Sequence, residues 1–488
     1  MIQSLHIFRK DIRHLWPELT LYIVLLTAFG LVTPQLREGA RFFGTMLGLF
    51  ANLLNVLLPV VMFLLIIRAI QDESLVGDQQ FWVTRPYAWT SLLGAKLLFI
   101  VVCIILPFAA MQCSLLLQAG LNPLASIPGL LLTLLYFVVI VWLTMTVVAA
   151  VTSTLARAFL SLVAALVIWA GFLTLISSFG DGIRTTPPIG FTTGAILLGG
   201  LVTGILLYQY ASRNTSRSRI ALLTTAALFL VLMCCVFRQY PAGVMSALIR
   251  HHYPASTNAA EHLNFDSSPG AYQDSLGRVR AHSGFFSVIL PVHLEGLDPS
   301  ARIHEANLSF TVDAPGYHYT SPWQPVTVAE RGLPVPIPED IFNRIHATSA
   351  RIHLNVAAQR LLPDAPQTVT VTDNFNVPGG RCIMLANRPS GSLVCRYAFQ
   401  GPPPTRINGS VTAQSCDAAG PPRPGVTITS SRTAGTIPDP IIQEPLDLGG
   451  NVCPGTQLTF LPYHPAGDFR LELDIPSITL DHYVAHGG

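Results

Sequence analysis

The sequence predicts an α-helical polytopic membrane domain of about seven spans, followed by an all-β, sandwich-like extracytoplasmic domain. Two features of composition predict it. Of the 488 residues, 50% are hydrophobic and only 11% are charged, whereas a soluble protein carries about 25% charged residues. Long apolar runs fill residues 1–237, and short alternating segments fill residues 238–488. The net charge of +2 gives no argument for nucleic-acid binding, so we expect no such partner.

Residues 1–16 are predicted to form an amphipathic helix lying in the membrane interface. Arg9, Lys10 and Arg13 lie largely off its apolar stripe, as such helices require. The stripe recurs every three or four residues and consists of Ile2, Leu5, Phe8, Ile12 and Leu15. A simple basic anchor remains the alternative. We do not expect a cleavable signal peptide, because the apolar run comes late.

Residues 17–237 are predicted to form the transmembrane domain. Its apolar runs are long and poor in charge, as membrane-spanning helices are. The predicted spans are Trp16–Val32, Thr45–Ile67, Leu92–Leu117, Pro128–Val151, Ala158–Ser178, Ile189–Tyr210 and Ile220–Phe237. With the N-terminus in the cytoplasm, ten Lys and Arg residues of this half of the chain lie on the cytoplasmic side of the membrane and three lie on the outer side. Seven spans then deliver residues 238–488 to the outside.

The polar interruption between the second and third predicted spans, Asp72 to Lys96, has an ordered composition. It is acidic first, then aromatic, and Arg-Pro precedes the next span. Such a segment fits a short amphipathic turn at a membrane face, with the proline opening the next helix. A plain anchor loop is the alternative, because aromatics beside Arg and Lys are common at membrane interfaces.

In this stretch the chain resembles the permease subunits of ABC exporters of the type-two class. An acidic pair, a glycine, a hydrophobic pair, a proline step and a lysine heading the next span carry the resemblance. The matching residues are Glu73, Gly77, Phe81, Trp82, Pro86 and Lys96. The chain departs from the family pattern after the proline, where it has Tyr87-Ala88-Trp89. The resemblance covers about residues 1–237.

The resemblance implies a six-span permease core to which the seventh span is an addition. Residues 71–91 would form the coupling loop that docks on a separate ABC ATPase subunit, which binds the ATP. The residues expected to contact that subunit are Asp72, Glu73, Gly77, Phe81, Trp82, Arg85 and Pro86. A second permease copy, or a related permease, would complete the transporter in the bacterial inner membrane.

The expected function is therefore ATP-driven export, and the apolar spans favour a lipid-like or amphipathic cargo. The chain contains no GxxxxGK[ST], HExxH or GxSxG motif, so we expect no catalytic residue, metal or cofactor in it. The alternative function is a non-transporting membrane anchor that carries an extracytoplasmic binding or scaffolding domain. Gln112, in the third span, is expected to hydrogen-bond a neighbouring helix, and a contact with the cargo is the alternative.

Residues 238–488 alternate apolar and polar positions between Gly, Pro and Asp turns, which predicts antiparallel strands in one β-sandwich or two. Residues 388–450 are rich in Pro, Gly, Ser and Thr, which predicts long loops or a linker. Four cysteines outside the cytoplasm predict two disulfides. Three connectivities are open, and neighbour pairing serves as a working assumption. The cysteines are Cys382, Cys395, Cys416 and Cys453.

Overall fold

A computed structural model gives the structure of the chain. It describes residues 2–39, 46–72, 88–178, 188–238, 242–258, 260–266, 285–326, 332–384, 393–399, 401, 403–412, 416, 422–429 and 439–483. All statements below concern these residues.

The first part of the chain is helical, as predicted. A short helix, α1, is followed by seven helices that are long and apolar enough to cross a membrane. Most of their ends lie within four residues of the predicted ends, but α2 continues from the predicted Val32 to Gly39 and α8 begins at Thr215 instead of Ile220. The helices are α1 (Ile2–His14), α2 (Trp16–Gly39), α3 (Met46–Gln71), α4 (Trp89–Gln118), α5 (Ile127–Val151), α6 (Leu155–Ser178), α7 (Pro188–Ser212) and α8 (Thr215–Arg238).

The second part of the chain is almost entirely β-structure. The alternation of apolar and polar residues predicts strands at 285–294, 301–312, 350–356, 367–372, 426–430 and 469–473, and each of these segments overlaps a strand of the structure. The strands are β1 (His262–Phe265), β2 (Phe285–Leu290), β3 (Val292–Glu295), β4 (Arg302–Ala314), β5 (Tyr317–Thr320), β6 (Gln324–Pro325), β7 (Leu333–Pro338), β8 (Ser349–Pro363), β9 (Gln367–Thr370), β10 (Asn374–Val377), β11 (Gly380–Met384), β12 (Leu393–Ala398), β13 (Thr405–Val411), β14 (Arg423–Thr429), β15 (Ile441–Leu446) and β16 (Gln457–Thr479). Two short helices also occur, α9 (Ala242–His252) and α10 (Glu339–Ile345).

The chain forms two compact units that do not follow the predicted boundary at residues 237 and 238. The first unit contains residues 1–171, 192–230 and 365–462. The second contains residues 172–191, 231–364 and 463–488. One β-region therefore belongs to the same unit as most of the helices.

The β-region of the first unit is a sandwich with its own core. One sheet has the order β10-β11-β12-β15, and the other joins β9, the first residues of β16, β13 and β14. Phe375, Tyr397, Ile407 and Phe460 from both sheets meet in one apolar cluster. Burying the inner faces of both sheets in this way is what stabilises a sandwich.

Both disulfides lie in this sandwich and join neighbours in the chain. Cys382 of β11 faces Cys395 of β12 across the strand pair, with a Cα–Cα distance of 3.9 Å. Cys416 and Cys453 form the second bond, with a Cα–Cα distance of 5.5 Å. The prediction of two disulfides is confirmed.

The loop or linker prediction for residues 388–450 is wrong over much of its length, because β12, β13, β14 and β15 lie there. Two of the glycines that suggested loops are strand residues at close contacts. A Cβ on Gly409 would lie 2.2 Å from a methyl group of Leu458, and one on Gly425 would lie 2.6 Å from the carbonyl oxygen of Leu448. Glycine in a strand commonly marks such a close approach.

The sandwich also packs on the helices of its own unit. Phe399, just after β12, is 3% exposed and belongs to the same apolar cluster as the long apolar helices. Its ring lies against Gly129 in the first turn of α5, where an added Cβ would be 3.0 Å from the Cβ of Phe399. Phe399 has a φ of +58°, a left-handed conformation that is rare for a bulky residue.

The second unit has its own core between two layers. One layer is the sheet β16-β8-β4-β5, in which only the later residues of β16 take part, and β6 also pairs with β4. The pairs β2–β7 and β1–β3 lie opposite, and α10 adds Ile341, Phe342 and Ile345 to the core. The short helix α9 packs Ile249 against Trp323 and Ala357.

Candidate functional site

The site begins with α1, whose sequence places a carboxylate on its buried face. Ile7, Asp11 and Leu15 follow one another at four-residue spacing, so they share one face. All three are at most 3% exposed. An aspartate in such a row is unfavourable unless a cation meets it.

Lys96 of α4 supplies that cation. Its Nζ donates to Oδ2 of Asp11 at 2.8 Å, and the two side chains are 2% and 1% exposed. Removing two charges from water costs several kcal/mol per ion, which only a close and well-formed pair offsets. The pair therefore fixes both the position and the rotation of α1 on α4.

Asp72, at the C-terminal end of α3, binds the other side of α1. Its carboxylate lies 3.7 Å from Nζ of Lys10 and 3.4 Å from Nε2 of His14. Asp72 and Lys96 lie on the two sides of residues 73–87 in the sequence. Helix α1 thus contacts Asp72, at the start of the predicted coupling loop (residues 71–91), and Lys96, after the end of that loop. We call α1, Asp72 and Lys96 the clamp.

Further polar contacts join the neighbouring helix ends. Glu18 of α2 forms an ion pair with Arg68 of α3. The amide nitrogen of Gln71 donates to the carbonyl oxygen of Thr152, just after α5, at 3.2 Å. Nε of Arg219, in α8, donates to the carbonyl oxygen of Val151 at 2.9 Å. These contacts join the ends of α2 and α3, of α3 and α5, and of α5 and α8.

Of the residues predicted for ATPase contact, the structure describes Asp72 and brings it to α1. The others lie outside the described residues: Glu73, Gly77, Phe81, Trp82, Arg85 and Pro86. Sequence reasoning missed Asp11, although an acidic residue between Ile7 and Leu15 was a usable signal. Leu5, on the predicted apolar stripe, is 60% exposed.

The interior of the helices contains two π-helical turns. Ile100–Ile105 forms one in α4, and Val138–Trp142 forms one in α5. The hydroxyl of Tyr22 donates to the carbonyl oxygen of Ile104 at 3.1 Å, and Nε1 of Trp142 contacts the sulfur of Met62 at 3.1 Å. Such turns are frequent where helices adjust for function.

Gln112 does not make the hydrogen bond that was expected. It is fully buried in α4, and neither of its amide atoms has a hydrogen-bond partner among the described residues.

We expect Gln112→Leu to stabilise the protein by about 1–3 kcal/mol, because it removes an unsatisfied buried amide. Unfolding in detergent measures this. Gln118→Leu, at the exposed end of the same helix, is the control and should change stability by less than about 0.5 kcal/mol. A loss of stability in Gln112→Leu would contradict the unsatisfied amide.

Within the described ranges, no group of three or more His, Cys, Asp or Glu side chains is placed to hold a metal ion. Comparison with known proteins gave no matching family model, no matching curated protein and no matching solved structure. The clamp and the seven apolar helices are therefore the basis for assigning a function.

Proposed function

We propose that the chain is the membrane-spanning permease subunit of an ATP-driven exporter of the ABC type-two class. The observation that supports this most is the clamp, because α1 contacts both Asp72 and Lys96. A partner that pushes on residues 73–87 would move α1, α3 and α4 together.

We further propose a bacterial inner-membrane location with the N-terminus in the cytoplasm and the strands outside. The excess of positive charge on the loops supports this orientation. The two disulfides support it as well, because disulfides persist in oxidising compartments and are rare in the cytosol. The cargo proposed is lipid-like or amphipathic, since the spans present few polar groups.

The test is co-purification of an ATPase subunit with the tagged full chain in mild detergent. The variant is Glu73→Lys plus Arg85→Glu, and the control is the matched double reversal Glu339→Lys plus Arg344→Glu in α10. We expect the wild type and the control to retain an ABC ATPase and the loop variant to lose it. Retention by all three would refute the docking site, and absence from all three would refute the permease assignment.

The second candidate is a membrane anchor that carries a binding or scaffolding module. The two β-cores favour it, since they form a large part of the chain. It predicts normal function in the loop variant and loss of function when the second unit is disrupted. The transporter candidate predicts loss of function in the loop variant, so one functional assay of that variant distinguishes the transporter from the membrane anchor.

A further inference from the structure

The surface of α1 has three sectors. The buried sector holds Ile7, Asp11 and Leu15, which face the protein. Next to it, Leu5 is 60% exposed, and Trp16, immediately after the helix, is 62% exposed. The remaining sector is basic.

The basic sector surrounds an open depression of about 440 Å³. Its lining consists of His6, Arg9, Lys10, Arg13 and His14. Lys10 and His14 face Asp72. Arg9 and Arg13 are exposed, and neither makes a hydrogen bond or ion pair with any residue in the described part of the chain. Two guanidinium groups one helical turn apart are thus available to an anion.

The position of α1 indicates which anion this is. The helix directly precedes α2, the first membrane-crossing helix, and its exposed apolar sector adjoins the arginines. An apolar sector beside basic residues is the pattern of a helix lying at the level of the lipid headgroups. Arginine binds phosphate through two parallel N–H donors, which favours a phosphate ligand.

We propose that Arg9 and Arg13 bind the phosphate groups of anionic phospholipids in the adjacent leaflet. The apolar sector, with Leu5 and Trp16, contacts the acyl chains beside them. Bound lipid holds the outer side of α1 while the Asp11–Lys96 pair holds its inner side. This inference goes beyond the proposed function and does not depend on an ATPase partner.

The test uses the full chain in detergent micelles, titrated with fluorescent phosphatidylglycerol or with zwitterionic phosphatidylcholine. We expect tighter binding of phosphatidylglycerol. Arg9→Gln plus Arg13→Gln should weaken that binding roughly fivefold for each arginine and leave phosphatidylcholine binding unchanged. Both arginines are exposed, so the unfolding temperature should stay the same.

The matched control is Arg157→Gln plus Arg217→Gln, which removes the same charge from other exposed arginines. It should bind phosphatidylglycerol as the wild type does. An equal loss in both double variants would show a diffuse charge effect and refute the site. Unchanged binding in Arg9→Gln plus Arg13→Gln would refute it too. Displacement of the lipid by millimolar inorganic phosphate would show a site for a free anion and overturn the assignment to lipid.

Discussion

Lys96→Met is expected to destabilise the protein by about 3–5 kcal/mol. The substitution leaves the Asp11 carboxylate buried without the ammonium group that lies 2.8 Å from it. Methionine has nearly the same length as lysine, so the loss of stability comes from removing the charge and not from opening a cavity. Unfolding in detergent, followed by circular dichroism, measures the change in the free energy of unfolding.

The double variant Asp11→Leu plus Lys96→Met is the decisive control. Apolar residues in place of a buried ion pair are often neutral or stabilising, so the double variant should recover most of the loss. Lys10→Met, on the exposed side of α1, should change stability by less than about 1 kcal/mol. A double variant as unstable as the sum of its single variants would contradict the buried pair.

Phe399→Ala is expected to destabilise the protein by about 3–5 kcal/mol, the usual effect of truncating a buried Phe. Phe399 is 3% exposed and belongs to the cluster that includes residues of the long apolar helices. Its loss opens a cavity next to Gly129. The free energy of unfolding in detergent measures the effect, and loss of contact between the sandwich and α5 should make residues near Phe399 more accessible to protease.

Comparing Phe399→Gly with Phe399→Ala isolates the effect of the backbone conformation, because both variants remove the ring. At an ordinary position glycine is less stable than alanine by about 0.5–1 kcal/mol. At the φ of +58° found here, alanine keeps a left-handed penalty of about 1–2 kcal/mol that glycine avoids. We therefore expect Phe399→Gly to be more stable than Phe399→Ala. The reverse order would contradict the left-handed conformation.

The seven long apolar helices could be predicted because the length of apolar helix that suffices to cross a bilayer is visible in the sequence. Strands such as β4 and β8 could be predicted from the alternation of apolar and polar residues along them. Strand β13 was missed and β14 was predicted only from residue 426 onward, since Gly409 and Gly425 suggest loops when the atoms that approach them are unknown. Those atoms belong to residues further along the chain.

The clamp could be predicted only in part. The resemblance identified Asp72 and Lys96, but the pairing of Lys96 with Asp11 joins residues far apart in the chain. The π-helical turns have no composition signal of their own, since Ile, Val and Cys fill the one in α4. The left-handed Phe399 was also beyond prediction, because tertiary packing selects a conformation that the residue disfavours.

The division of the chain into interleaved units has a consequence for biosynthesis. The helices of the first unit are complete at residue 230, but its sandwich ends only at residue 462. At about 5–20 residues per second, a ribosome needs roughly 10–50 s to make the intervening chain. During that time Gly129 and its neighbours lack their contact with Phe399. Newly made helices thus expose an apolar surface that a chaperone could bind, and truncation at residue 250 would leave that surface exposed permanently.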